Sequence, residues 1–373
     1  PVASPSTPFS AWSTSGGDNS RRGAFHRAVG LDAKPHRTLP AQGAVQASVV
    51  FDPSGRSFVA DMAGGMQAYS REGGPLWQKR LTGGISATPA VDLDGQRLFA
   101  ATHAGWVYAL ETSSGAVAWK KEIPTKSDAR ILSDLLFLPK QPAVVLSSWG
   151  GRFCRLDAET GKERHSWDAG ISPYAGAMAD NDGNAYCLRA VGKEGVQLVR
   201  VGAEGKESIL HTQPEGKRSA NRLLVAASPV LDPERQVVYF VTNEDQGGRL
   251  HAWSVPDHKL RWSERFANSI GATPTVAPDG TICVADMAGW VHALAPDGTR
   301  GYRYATNCEY LLAGGICDQR GTVFIGDPLG VVHAIPAQGA GTILYETPGA
   351  IQGRPAFDAH GNPVTVNSAF FDR

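Results

Sequence analysis

The sequence has no excess of charge of either sign, 36 Lys+Arg standing against 36 Asp+Glu. A nucleic-acid or polyanion sleeve needs a basic surplus to neutralise phosphates over a wide face, so this balance excludes that class. No run of about 18 apolar residues occurs, which excludes a membrane-spanning helix. The five cysteines, Cys154, Cys187, Cys283, Cys308 and Cys317, include no adjacent pair and no Cys-x-x-Cys, and no His-x-x-x-His spacing is present. The usual metal-site signatures are therefore missing, and no metal is expected. Also absent is Gly-x-Ser-x-Gly or any other nucleophile–base motif. The chain opens on Pro1-Val2-Ala3-Ser4-Pro5-Ser6-Thr7-Pro8 without Met, basic residues or an apolar stretch. That reads as a processed chain with a short disordered lead-in, placed in the periplasm or outside the cell.

Chain breakers are what the sequence has in abundance. Gly (43) and Pro (24) make up nearly one residue in five of 373, more than a helix-rich enzyme carries. Self-similarity gives the reason. Ala60-Asp61-Met62-Ala63-Gly64 returns as Ala285-Asp286-Met287-Ala288-Gly289, and Ala101-Thr102-His103-Ala104-Gly105 has the same frame. Ahead of each piece runs an apolar strand and a turn such as Asp52-Pro53-Ser54-Gly55, Asp180-Asn181-Asp182-Gly183 or Asp358-Ala359-His360-Gly361. Asp heads such a turn by bonding the backbone two residues on, and Gly closes it at positive φ. Each unit therefore holds four strands, a to d, the last carrying an aromatic at Trp77, Trp119, Trp167, Trp262 or Tyr302.

Units begin near Gln46, Ala87, Ile131, Tyr174, Ala226, Gly271, Ala313 and Gly353, at intervals of 40 to 52 residues. Four strands at that period predict an all-β fold, a β-propeller whose sheets bury their faces on one another. Eight starts predict eight blades, with seven as the alternative. The eighth unit is short of its outer strand, and His36-Arg37-Thr38-Leu39-Pro40-Ala41-Gln42-Gly43 aligns with the outer strand Trp77–Gly84, so an N-terminal strand is expected to close the ring. Residues 1–34 are expected to form an extended lead-in packed on a single propeller of residues 35–373.

The run Gly105-Trp106-Val107-Tyr108-Ala109-Leu110-Glu111-Thr112-Ser113-Ser114-Gly115-Ala116-Val117-Ala118-Trp119 resembles the repeat of the pyrroloquinoline-quinone-type propellers, as do Leu156–Lys162 and His292–Gly298. The leader Trp12-Ser13-Thr14-Ser15-Gly16-Gly17-Asp18-Asn19-Ser20-Arg21-Arg22-Gly23 resembles the Trp-x-x-x-x-Gly-Asp-x-x-Arg-x-Gly lead-in of such repeats. The resemblance covers residues 12–373 and points to the quinoprotein alcohol dehydrogenase-like superfamily, in its BamB-like branch without catalysis. Quinone-dependent members hold their cofactor against a disulfide of adjacent cysteines and bind Ca²⁺ through carboxylates. With no adjacent cysteines here, neither quinone nor Ca²⁺ is expected.

Several constellations allow both a structural and a functional reading. Asp61, Asp286 and Asp327 share one slot at the end of strand b, where Thr102 and Ser148 stand elsewhere; turn capping is favoured over a carboxylate ring. The outer-strand aromatics suit packing between blades, while Trp106, Trp149 and Trp290 stand close after strand b, where a ring can also stack a ligand. Cys308 and Cys317 flank a loop and a disulfide between them is left open. The d-to-a loops gather at one mouth of the channel and carry Arg130, Tyr174, Arg222, Glu309, Tyr310 and Arg354 as candidate ligand-binding residues, with Tyr174 and His211 as weak catalytic candidates. A binding or assembly module is the leading reading, its partner a protein or an acidic small molecule or oligosaccharide gripped by arginines. The alternative is a lyase of acidic polysaccharide using Tyr174, His211, Arg222 and Arg354. A monomer is expected.

Overall fold

The computed structural model describes residues 12–31, 41–124, 128–168, 170, 174–191, 195–214, 226–244 and 247–369. Seven antiparallel four-stranded sheets follow one another in chain order. Blade 1 is β1 (Val50–Phe51), β2 (Ser57–Ala60), β3 (Gly65–Tyr69) and β4 (Pro75–Arg80); blade 2 is β5 (Ala90–Val91), β6 (Arg97–Ala101), β7 (Trp106–Glu111) and β8 (Val117–Glu122). Blade 3 is β9 (Leu136–Leu138), β10 (Ala143–Ser148), β11 (Arg152–Asp157) and β12 (Glu163–Asp168); blade 4 is β13 (Met178–Ala179), β14 (Ala185–Val191), β15 (Gly195–Val201) and β16 (Glu207–Gln213). Blade 5 is β17 (Val230–Asp232), β18 (Val237–Glu244), β19 (Gly247–Ser254) and β20 (Lys259–Phe266), and blade 6 is β21 (Thr275–Val276), β22 (Ile282–Ala285), β23 (Trp290–Leu294) and β24 (Arg300–Ala305). Blade 7 is β25 (Ile316–Cys317), β26 (Val323–Gly326), β27 (Val331–Ile335) and β28 (Thr342–Glu346).

The molecule is thus a seven-bladed propeller, which corrects the expectation of eight. Eight stretches stand in the place of strand a, but the eighth does not become a blade. β30 (Ala356–Phe357) pairs only with β31 (Pro363–Val364), and β32 (Asn367–Ala369) crosses to pair with β29 (Gly349–Ile351). Pro363 has no N–H to give a ladder. Of the N-terminal segment expected to close the ring, residues 36–40 lie outside the described residues and residues 41–43 form no strand. Closure rests instead on a wedge in which Phe357 stacks on Phe25 at 4.6 Å and meets Trp12 and Phe324 edge-on at 5.5 and 5.7 Å.

One local rule builds every blade and a second joins several of them. The third and fourth strands slip register by a bulge in all seven sheets, for example between Ala68 and Tyr69 and between Val332 and His333. A bulge adds right-handed twist, which lets adjacent sheets fan around an axis. The outer aromatics then lock blade to blade. Trp77 Nε1 donates to Thr112 O at 2.7 Å, Trp119 Nε1 to Ala158 O at 2.9 Å, and Trp262 Nε1 to Pro296 O at 2.9 Å. Each ring lies flat on the turn glycine of the next blade: a Cβ on Gly115 or Gly161, both at positive φ, would come within 2.6 or 2.7 Å of a Trp ring.

Strand a is short because the residues before it bond sideways to the neighbouring blade. Ser48 N–H donates to Thr88 Oγ1 (3.1 Å), Thr88 N–H to Asp134 Oδ1 (2.9 Å), Gly176 N–H to Ser228 Oγ (2.8 Å) and Ser228 N–H to Thr273 Oγ1 (3.2 Å). Backbone that bridges blades in this way is not available to the ladder within a blade.

Candidate functional site

The leader occupies the axis of the ring. Trp12 O accepts from Phe51 N–H, Ser13 O from Val91 N–H, Asn19 O from Ala179 N–H, Ser20 O from Leu231 N–H, Arg22 O from Val276 N–H and Gly23 O from Cys317 N–H, all between 2.7 and 2.9 Å. Thr14 Oγ1 donates to Leu135 O beside β9 at 2.7 Å. Seven residues of the segment 12–23 therefore touch the innermost strand, or the residue next to it, in all seven blades in turn. The leader motif has a physical reading: Gly17 packs on the Trp12 ring, and Gly23 makes room for Arg354, whose guanidinium a Cβ there would strike.

Two arginines fill this centre. Arg354 is buried and stands two residues before β30, where Ser48, Thr88 and Thr273 stand before their strands. Its Nε donates to Gly315 O (2.8 Å), one terminal nitrogen to Arg21 O (2.8 Å), and the other to Pro274 O and Thr275 Oγ1 (3.2 Å each). Burial, with the Arg21 cation beside it, pushes its guanidinium down to about 10, so it stays charged at neutral pH. Arg21 donates to Ala177 O (2.5 Å), Asp134 O (3.0 Å) and Leu135 O (3.1 Å), and pairs with Asp134 at 3.5 Å. Arg354 is consequently a bolt through the axis, with its donors engaged by loop carbonyls and a hydroxyl.

His211 lies on β16, the outer strand of blade 4, and not in a mouth loop. Its ring sits 5.9 Å from Phe240 and 6.0 Å from His251 of blade 5. Burial pushes His251 down to about 3, with His211 and Arg249 adding to the effect; Thr242 Oγ1 meets its Nε2 at 2.8 Å. Arg222 lies outside the described residues. Of the four residues named for a lyase, the three that are described stand apart: Tyr174 on the rim, His211 on an outer strand and Arg354 at the axis.

The rim of the d-to-a face, formed by the d-to-a loops and b-to-c turns, carries two unlike sectors. At blades 3 and 4, Trp149 N–H donates to Arg130 O (2.7 Å) and Gly150 N–H to Asp128 O (2.9 Å), tying turn to loop. Arg130 grips Asp128 through Nε and a terminal nitrogen at 3.0 and 2.7 Å, which holds the Asp128 carboxyl below the ordinary range. The Arg130 guanidinium lies 5.1 Å from the Trp149 ring centre, and the Tyr174 ring meets Trp149 at 5.2 Å and 82°. His103, bonded to Ser86 Oγ at 2.7 Å, is pushed down by burial and by the nearby Arg130. Trp106 and Trp290 do not join this group; Lys120 lies 5.0 Å over the first and Arg303 4.4 Å over the second.

At blades 6 and 7 the rim carries large exposed apolar side chains. Asn307 and Tyr310 take φ of +62° and +64°, a conformation non-glycine residues adopt only at a cost. Tyr310 N–H donates to Met287 O at 3.0 Å. Tyr310 is 59% exposed, Leu312 51% and Leu329 69%; Leu312 and Met287 close over Gly271. Glu309 is exposed in the same loop. The sequence reading named Glu309 and Tyr310 but missed Leu312 and Leu329. The signal for the second was Leu in the turn Asp327-Pro328-Leu329-Gly330, at a place held by Ala63, Ala104 and Ala288 elsewhere.

The shared carboxylate slot caps its turns. Asp61 Oδ1 accepts from Ala63 and Gly65 N–H (2.9 and 2.8 Å), and Asp327 Oδ1 from Leu329 and Val331 N–H (2.9 Å each). Asp327 also meets His333 Nε2 at 3.0 Å, whose Nδ1 meets Tyr304 OH of blade 6 at 3.1 Å, a further tie between blades. All five cysteines are free thiols; Cys317 is buried between blades 6 and 7 and not bonded to Cys308. Among the described residues no three His, Cys, Asp or Glu side chains are grouped to hold a metal ion. Nor do the residues fit a quinone held against adjacent cysteines, since the axis is filled by the leader and its arginines.

Comparison with known proteins agrees with this architecture. The protein-family model described as "Outer membrane protein assembly factor BamB" matches residues 14–166 and 62–246, together more than half of the chain. A polyvinylalcohol dehydrogenase of a Pseudomonas species is 24% identical over 209 residues, covering 45% of this chain and 32% of that protein, so the chain spans about a third of its length. The crystal structure of BamB from Moraxella catarrhalis superposes with a TM-score of 0.59 at 17% identity, covering 81% of this chain and 86% of that one. The chain belongs to the family described as outer membrane protein assembly factor BamB.

Proposed function

We propose that this protein is a periplasmic or extracellular binding module without catalysis, which engages a protein partner through the blade 6–7 sector of its rim. The observation that carries the reading is the exposure of Tyr310, Leu312 and Leu329 on loops of one face. Large apolar groups grouped on a loop surface mark interaction sites in soluble proteins. The left-handed backbone at Tyr310 supports it, because strain persists where the surrounding structure holds a side chain out for use. The family's description, assembly of outer membrane proteins, fits such a role. A lyase finds less support, since Tyr174, His211 and Arg354 stand on separate parts of the fold. Photo-crosslinking side chains placed at Leu312 and Leu329 in the producing cells test the proposal. A discrete adduct from both, and none from Ile343 on an outer strand, is expected. Equal labelling at all three positions, or none on the rim, overturns it.

A further inference from the structure

The blade 3–4 sector carries a second inference, independent of the protein-partner reading. Tyr174 is 46% exposed and stands almost perpendicular to Trp149, so the two rings make a corner open to solvent. Along one side of that corner lies the Arg130–Asp128 pair, whose side chains are 47% and 32% exposed. The turn at Trp149 and the loop at Asp128–Arg130 are joined by two backbone hydrogen bonds, so the aromatic and charged parts hold a fixed relation.

Each part selects a chemistry. An exposed aromatic ring takes a flat apolar face. A guanidinium and a carboxylate side by side offer donors and acceptors together, which suits groups that both give and accept a hydrogen bond, such as vicinal hydroxyls. A pyranose ring has both features, a face of C–H bonds and a belt of hydroxyls. Charge decides the class of sugar. Asp128 already engages Arg130 through two nitrogens, so an acidic sugar would have to displace a carboxylate in place. We propose that Trp149, Tyr174, Arg130 and Asp128 form a binding site for a neutral saccharide on the rim. This replaces the acidic ligand expected from the arginine content with a neutral one, because the pair as a whole carries no net charge.

The test titrates the full chain with maltohexaose, cellohexaose and chitohexaose, and with hexagalacturonate as the charged comparison, by calorimetry and saturation-transfer NMR. At least one neutral hexasaccharide is expected to bind, with little dependence on salt. Tyr174→Ala and Trp149→Ala are each expected to weaken it by about tenfold or more. Tyr174→Phe, which keeps the ring, should bind nearly as the wild type, and Leu93→Ala, on a turn at the other end of the strands, should not change affinity. The proposal is overturned if no neutral hexasaccharide binds at about 10 mM, if hexagalacturonate binds more tightly than all three, or if binding survives both Tyr174→Ala and Trp149→Ala. Because Tyr174 is exposed, its variant answers the question even if Trp149→Ala fails to fold.

Discussion

The axis and the rim of this propeller use the same residue type for opposite ends. Arg354 and Arg130 both stand in loops leading to an innermost strand, yet one is buried and the other nearly half exposed. The difference lies in a few positions of the repeat. Arg354 falls two residues before β30, on the ring of sites where Ser48, Thr88 and Ser228 bridge blades, so its side chain turns inward to the leader. Arg130 falls six residues before β9, where the loop is still on the outer face. A loop arginine in a propeller is therefore read by its offset from strand a, since backbone geometry decides whether carbonyls or solvent surround it.

The comparison breaks most visibly at the axis. Arg354→Ala leaves Arg21 O and Pro274 O without their donor, leaves Gly315 O with the Thr275 hydroxyl alone, and opens space against Gly16 and Gly23. Hydrogen bonds from a charged donor and a buried cavity together predict a loss of about 3 kcal/mol or more in chemical denaturation. Arg354→Lys should recover little, since one ammonium cannot reproduce a planar fork. Arg130→Ala on the rim is expected to leave the denaturation midpoint close to that of the wild type. Equal losses at the two positions would remove the distinction between bolt and rim.

A smaller effect, about 2 kcal/mol, belongs to the interface of blades 4 and 5. His251 is held at about 3 in the folded chain, below the ordinary value near 6.5 that it regains on unfolding. The unfolded chain thus binds a proton that the folded one refuses. The stability from neutral His251 is complete above pH 6.5, falls as pH drops below it, and goes on falling toward pH 3. Between pH 7 and 5 this one group predicts about 2 kcal/mol of lost stability. His251→Phe should reduce the difference between urea midpoints at pH 7 and 5, while carboxylates elsewhere keep their share in both proteins. An unchanged difference would show that His251 titrates normally and that this interface is open to water.

Much of this architecture was legible in the sequence. The Asp-x-x-Gly turns, the four-strand period and the outer aromatics follow from local rules that each residue obeys within its own repeat, and Asp52, Asp180 and Asp358 cap their turns as expected. What failed was whatever needed two distant segments at once. Eight starts of strand a do not make eight sheets, because the last strand pairs with β29 and not with its own neighbour. His211 sat close to a loop in the count, but a strand d of seven residues carried it onto the sheet. Arg354 read as a ligand residue because nothing in its own repeat shows that the leader, more than 300 residues earlier, returns to it. Of the rim, the repeat frame places Arg130 and Tyr174 in d-to-a loops and Trp149 after a strand b; only the fold sets them side by side.

The smallest effect sharpens the rim itself. Tyr310 keeps a φ of +64°, where a side chain costs roughly 1–2 kcal/mol that glycine does not incur. Glycine gives part of this back through the greater freedom of the unfolded chain, roughly 0.5–1 kcal/mol. Tyr310→Gly therefore predicts a protein more stable by about 0.5 kcal/mol that has lost an exposed aromatic from the proposed interface. Gain of stability with loss of the crosslink from Leu329 is the pattern of a residue kept for contact, as strained positions at functional surfaces are. If Tyr310→Gly instead unfolds more readily than the wild type, Tyr310 holds its loop together, and the apolar sector would be part of the frame, like the axis.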